Sequence, residues 1–265
     1  MPDRTPVLPN VATVSLKGRI GRAVRPEDMQ RQLHLAERLP FIRGVLLRID
    51  SPGGAATESE DIRVEIAKLN ETKPVVAHIH GIGASGGYLA AAAAEKIIAT
   101  KWSLVGSIGV LLMRPNVTTL LNTIGVDVAV RKTGRFKDLG SPFRAPTTED
   151  EDKDAELIES LYREFLDTVI EARNLDETAT ERLTSGEVFT AAQAVELGLV
   201  DAVGDEEAAT DQLEELIGAK TKTLDLRTPG GMMRFLRPAA LAERAAGPLG
   251  SLSFKPRLEW PGGGF

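Results

Sequence analysis

The chain has 265 residues and 28.5 kDa, of which 42% are hydrophobic and 26% charged. That balance excludes disorder over most of the length and supplies one large core. The net charge is −6 and no basic block is long enough to neutralise a run of phosphates, so nucleic acid is excluded as a partner. Cysteine is absent, and His34, His78 and His80 are the only histidines, with no HExxH helix to present them. Thiol and zinc chemistry are therefore set aside, and no metal or cofactor is expected.

The first ten residues, MPDRTPVLPN, hold three prolines and no apolar run, so no signal peptide is read there. No stretch approaches the roughly twenty apolar residues of a membrane-spanning helix, and the chain is expected to be cytoplasmic or peripheral to a membrane. From Val11 onward, short β-branched runs alternate with helix-like stretches, the pattern of a mostly parallel sheet covered by helices. Strands are predicted over 11–16, 44–49, 75–79, 96–99, 110–113 and 126–130. Residues 26–39 and 58–70 read as helices, the second opened by a capping box of Thr57 and Glu60, and a third begins at Ser85. A polar segment, 131–147, precedes a long helix over 148–173 with Leu157, Leu161, Phe165 and Ile170 on one face. Short helices follow over 191–197, closed by Gly198, and over 206–217.

Four motifs fall at strand ends, where open α/β sheets place their ligands. Ser51-Pro52-Gly53-Gly54 follows the strand VLLRID. A glycine pair there leaves backbone N–H groups uncovered, as in an oxyanion hole, and serves equally well in an ordinary tight turn. Gly81-Ile82-Gly83-Ala84-Ser85-Gly86-Gly87-Tyr88 follows PVVAHI and leads into an alanine-rich helix. Small residues on both sides of Ser85 put its hydroxyl at a helix N-terminus, as a nucleophile or as a plain N-cap. The motif is expected to differ from the G-x-S-x-G nucleophile elbow, and from a Walker loop because no GK[ST] follows.

A serine nucleophile needs a base. His78 and His80 lie on one face of a strand only a few residues before Ser85, so they read as packing or surface residues. A lysine made neutral by desolvation is the other known partner. Lys137 is the candidate, in the loop TGRFKDLGSPFR (133–144), where Phe136, Leu139 and Phe143 are placed to exclude water.

In this order SPGG, GxxASGGY, GSIGV (106–110) and GRFKDLGSPFR resemble the signal peptide peptidase A family of serine proteases, the S49 type, and residues 188–204 are similar to that family's C-terminal helix and turn. The resemblance covers about residues 10–217. It implies a crotonase-like, Clp-protease-like α/β fold of repeated ββα turns, with Ser85 as nucleophile and Lys137 as general base. It further implies an oxyanion hole from the N–H groups of Gly54 and Gly86, a Ser141 that holds the lysine amine, and a homo-oligomeric ring in which subunits share sites. The expected substrates are apolar or small-residue peptides, such as cleaved signal peptides, hydrolysed through an acyl-enzyme. Rival readings are a prohead-type protease of the same clan, an acyl-CoA-handling crotonase-like enzyme, and a catalytically silent ring scaffold.

The resemblance implies a single protease domain over residues 1–217, with 1–10 as a short lead, and a C-terminal strand and flexible tail are expected over 218–265. In the tail, Met232, Met233, Phe235, Leu236 and Leu241, with Arg234, Arg237 and Arg244, are a candidate for peripheral membrane contact, interrupted by Pro238.

Overall fold

A computed structural model describes residues 9–226, so the candidate membrane segment of the tail lies outside the described residues. Contacts divide the described chain into two compact units, 9–109 with 163–226, and 110–162. In chain order the elements begin with β1 (Val11–Lys17), α1 (Pro26–Arg38), β2 (Gly44–Ser51), α2 (Ala56–Asn70), β3 (Val75–Ala84) and α3 (Gly86–Ala92). Next come β4 (Lys96–Ala99), β5 (Leu104–Gly106), α4 (Thr118–Thr123), α5 (Thr148–Arg173) and α6 (Glu177–Leu183). The last are β6 (Val188–Thr190), α7 (Ala191–Glu196), β7 (Ala202–Val203), α8 (Glu206–Ile217) and β8 (Thr223–Asp225).

All eight strands belong to the first unit and form one sheet, ordered β6-β5-β3-β2-β1-β8, with β4 on β3 and β7 on β4. Every pairing is parallel except β5 with β6. Both faces are covered, which is why the strands read as nearly continuous apolar runs. Alternation sends Val11, Leu46, Val76 and Ile98 to one face, where Ala209, Leu213 and Ile217 of α8 cover them. The other face carries Val14, Leu47, Ala77 and their neighbours beneath Met29 and Leu33 of α1 and Ile62 and Ile66 of α2.

The strand β3 runs five residues past its predicted end and divides the sheet. Its first half, Val76 to Ile79, pairs with β4, and its last residues, Ile82 to Ala84, pair with β5. The register against β2 shifts between Ile49 and Ser51, where Gly81 takes φ +95. A glycine-containing continuation of a strand looks like a turn in sequence, which hid this extension.

Other expectations need correction. The predicted strands 110–113 and 126–130 are irregular, and the second unit contains no strand among the described residues. Their alternating apolar residues are exposed, Leu111 at 79% and Met113 at 75%, and a strand without a neighbour has nothing to accept its hydrogen bonds. The Thr57/Glu60 capping box does not form: α2 starts after Ala55, which makes no side-chain cap, and Glu60 pairs with Arg63 instead. On α5, Leu157 and Leu161 are exposed while Phe165, Leu166 and Val169 meet the core, so only the second half of the predicted face is buried. A capping box does form on α7, between Thr190 and Gln193. No helix among the described residues is long and apolar enough to cross a membrane.

Candidate active site

Ser85 directly follows β3 and takes the N-cap position of α3 with φ 51 and ψ −126. A non-glycine residue in that region costs about 1–3 kcal/mol, and it persists only where its surroundings over-determine it. Here the Ser85 N–H donates to Gly106 O at 2.8 Å, and its carbonyl accepts from Tyr88 and Leu89, each at 2.9 Å. The side chain makes no capping bond, so Ser85 is not a plain N-cap, and its hydroxyl has no partner among the described residues. The expected difference from the G-x-S-x-G elbow also fails. Gly83, Ser85 and Gly87 stand at that spacing, and the backbone makes the strained strand-to-helix turn that the pattern encodes.

Two of the sequence motifs meet here, backbone against backbone. A Cβ on Gly53, where φ is +87, would lie 2.6 Å from Gly86 N and 2.9 Å from Ser85 Cβ. A Cβ on Gly86 would overlap Ser59 Oγ. Only glycine lets the two segments approach this closely. Buried Ser51 fixes the turn: its Oγ donates to Gly18 O at 2.7 Å and accepts the Gly53 N–H at 3.1 Å. Gly53 O in turn accepts from Ile20 N at 2.9 Å. The N–H groups of Gly54 and Gly86 have no acceptor among the described residues; Gly54 is exposed and Gly86 is buried. Ser51, Ser59 and the turn around Ile20 were not legible as parts of the site, because they act through buried hydroxyls and backbone atoms rather than through a reactive side chain.

Tyr88 anchors the far side of the elbow. It is wholly buried, its hydroxyl donates to Leu199 O at 2.8 Å, and burial pushes its pKa far up, so it is a neutral donor. The turn that receives it is braced by Arg173, which donates to Gly198 O at 3.1 Å and to Asp201 at 3.0 Å.

His78 and His80 flank Thr100 Oγ1 at 3.2 and 3.4 Å. His78 is buried, which pushes its pKa down. His34 makes a surface contact to Glu65 at 2.8 Å. No cluster among the described residues could hold a metal ion.

Lys137 and Ser141 lie in the second unit. The Lys137 side chain is exposed and makes no hydrogen bond or ion pair among the described residues. Ser141 donates its N–H to Asp138 O at 3.0 Å, and its Oγ accepts from Phe143 N at 3.3 Å. Charge holds this loop. Arg144 donates to Asp138 through Nε at 2.9 Å and Nη2 at 3.0 Å, and reaches buried Asp150 through Nη2 at 3.0 Å and through Nη1. Lys132 pairs with Asp138 as well. Asp150 also accepts from Thr147 N at 2.8 Å, fixing the start of α5. Hydrogen bonds from Arg144 and then Lys132 hold Asp138 at about 2, and Arg144 with Thr147 holds Asp150 well below the usual carboxylate range. Within this unit Phe136 and Leu139 are half-buried and Phe143 is exposed.

The profile of Peptidase family S49 matches residues 67–220, a span that contains Ser85, Gly86, Lys137 and Ser141. The chain belongs to peptidase family S49. Residues 51–54 lie outside that span and pack against it where Gly53 meets Ser85 and Gly86. A provisionally named protease of Methanocaldococcus jannaschii is 39% identical over 68% of this chain and 58% of its own. A provisionally named signal peptide peptidase SppA of Enterococcus faecium is 39% identical over 71% of this chain and 55% of its own. The S49 chain thus spans little more than half the length of these relatives. Among solved structures, a ClpP1 mutant from Listeria monocytogenes matches with a TM-score of 0.50 at 17% identity, over 74% of this chain and 93% of that one. That likeness is one of fold, the Clp-protease-like α/β class.

Proposed function

We propose that this S49 chain is a serine endopeptidase acting through a dyad of Ser85 and Lys137. The observation that carries the reading is the strained elbow of Ser85, its side chain making no capping bond and the N–H of Gly86, without an acceptor among the described residues, immediately following. In the proposed reaction the Lys137 amine takes the Ser85 proton as the hydroxyl attacks the scissile carbonyl. The N–H groups of Gly54 and Gly86 donate to the oxyanion that forms. Lys137 returns the proton to the leaving amine as the C–N bond breaks, then deprotonates a water that attacks the acyl-enzyme and frees Ser85. No metal or cofactor takes part.

Small-residue or apolar peptides in extended form, such as cleaved signal peptides, fit a site walled by glycine backbone, and the name of the E. faecium relative supports that class. Residues 1–217 are taken as one protease domain, supported by the S49 match over residues 67–220. A ring of identical subunits is part of the proposal, supported by the exposed apolar side chains Leu111, Met113, Leu120 and Ile124 of the second unit.

The test is kcat/KM on a small-residue peptide between pH 5 and 10. The rate should rise with pH, because only the neutral amine can act as base. A flat profile, or a Lys137→Ala protein that keeps most of its activity, contradicts the dyad. Sharing of sites has its own test. Ser85→Ala and Lys137→Ala subunits, unfolded together and reassembled, should recover about a quarter of wild-type activity if neighbours combine one residue each.

A further inference from the structure

The turn between β1 and α1 carries a charge pattern that the dyad does not use. Residues 17–25 read Lys-Gly-Arg-Ile-Gly-Arg-Ala-Val-Arg, four cations and no acid in a chain of net charge −6. Lys17, Arg19, Arg22 and Arg25 are exposed, and none makes an ion pair or side-chain hydrogen bond among the described residues. Elsewhere in the same unit Arg31, Arg48 and Arg63 each hold a carboxylate. Of the acids nearby, Asp28 pairs with Arg31, Glu27 is exposed just beyond Pro26, and Glu58 directs toward Gly21 a buried oxygen that has no hydrogen-bond partner among the described residues.

The turn is tightly built. Arg19 O accepts N–H groups from Arg22, Ala23 and Val24 at 3.2, 2.9 and 3.2 Å, and Gly21 N donates to Val24 O at 2.9 Å. Ile20 and Val24 are buried, so the apolar anchors point inward and the cations outward from fixed backbone positions. The same turn grips the candidate oxyanion loop. Ser51 Oγ bonds Gly18 O, Ile20 N bonds Gly53 O, and a Cβ on Gly54 would overlap Ile20 O. Four cations without a partner among the described residues are thereby fixed to the segment that carries Gly54.

We propose that this turn is a substrate-recognition rim that selects peptides bearing acidic residues beside the scissile bond, on the side of Gly54. The proposal rests on the peptidase reading and names a substrate class for that same site. Arginine forks grip carboxylates in pairs of hydrogen bonds, and the cationic rim also draws an acidic chain toward the site before contact. A peptide fits better than a lipid surface: a membrane-binding segment sets apolar side chains among its cations, and the exposed residues here are Lys, Arg, Gly and Ala only.

The experiment uses three fluorogenic peptides with one small-residue core, flanked by acidic, amide or basic residues, at ~0.05 and ~0.5 M salt. The wild-type chain should favour the acidic over the amide peptide about five- to tenfold in kcat/KM at low salt, with the preference collapsing at high salt. In an Arg22→Glu/Arg25→Glu protein the preference should invert, so that the basic peptide is cleaved faster than the acidic one at low salt. Arg38→Glu, in the last turn of α1 and about 20 Å away along that helix, should change nothing. Cleavage of all three peptides at equal rates, or a preference that survives the double substitution, overturns the rim and leaves the peptidase reading intact. Binding of anionic vesicles that the double substitution abolishes, with no charge preference among peptides, overturns it in favour of a membrane. Failure to cleave any peptide overturns both readings together.

Discussion

Ser85 and Lys137 stand in regions built by different forces. Around Ser85 the chain is packed backbone to backbone, with Gly53 and Gly86 filling space that no side chain could share and with Ser51, Ser59 and Tyr88 satisfying buried groups. Around Lys137 the contacts that order the loop are ion pairs, Arg144 between Asp138 and Asp150 and Lys132 on Asp138, and most side chains are exposed. Steric packing locks one conformation and leaves no slack. Ion pairs near solvent hold a loop more softly and respond to pH and salt. A nucleophile held in a strained turn needs the first kind of support, and a flexible lysine side chain can work from the second.

The contrast breaks most visibly at Gly86. Gly86→Val forces a branched side chain into Ser59, so overpacking should cost about 3 kcal/mol of stability or prevent folding, read as a shift of the urea midpoint. Lys137→Ala, in the other region, should leave stability within about 0.5 kcal/mol of wild type. Equal losses at the two positions would contradict the division.

How much of this was legible in sequence follows the same line. Strands and helices of the first unit were readable because burial on both faces imposes apolar runs and amphipathic helices, as in β1, β2, α1 and α8. The misread strands, 110–113 and 126–130, lie where apolar residues are exposed, so hydrophobicity there carries no information about burial. Glycine and serine motifs marked the neighbourhood of Ser85, but the elbow was passed over although its glycines stand at the required spacing. The support from Ser51, Ser59 and Tyr88 needs spatial proximity between distant segments, which no local pattern encodes. The Arg144 clamp was invisible for a similar reason: a charge six residues from each of two acids reads as a solvated surface until the turns bring all three together.

A smaller effect sharpens the comparison from the packed side. Tyr88→Phe removes the donor to Leu199 O and leaves a buried carbonyl unpaired, for an expected loss of about 1–2 kcal/mol in the same denaturation experiment. An unchanged midpoint would show that the elbow does not depend on this anchor.

The smallest expected effect is confined to acid and belongs to the ion-paired side. The folded values of Asp138 and Asp150 are lowered, so the clamp contributes fully above the unfolded aspartate value of about 3.9 and is lost as pH falls toward about 2. Stability measured from pH 6 to 2 should fall more steeply in wild type than in Arg144→Met, which lacks the partner that lowers both carboxylates. Parallel curves would contradict the assignment.

The central claim, that the strained elbow presents a reactive Ser85 to a lysine base, is tested most directly by labelling with a serine-reactive fluorophosphonate. The wild-type chain should be labelled at Ser85, Ser85→Ala should not be labelled at all, and Lys137→Ala should fold normally yet react far more slowly. Labelling that persists in Ser85→Ala, or a wild-type rate in Lys137→Ala, would contradict it.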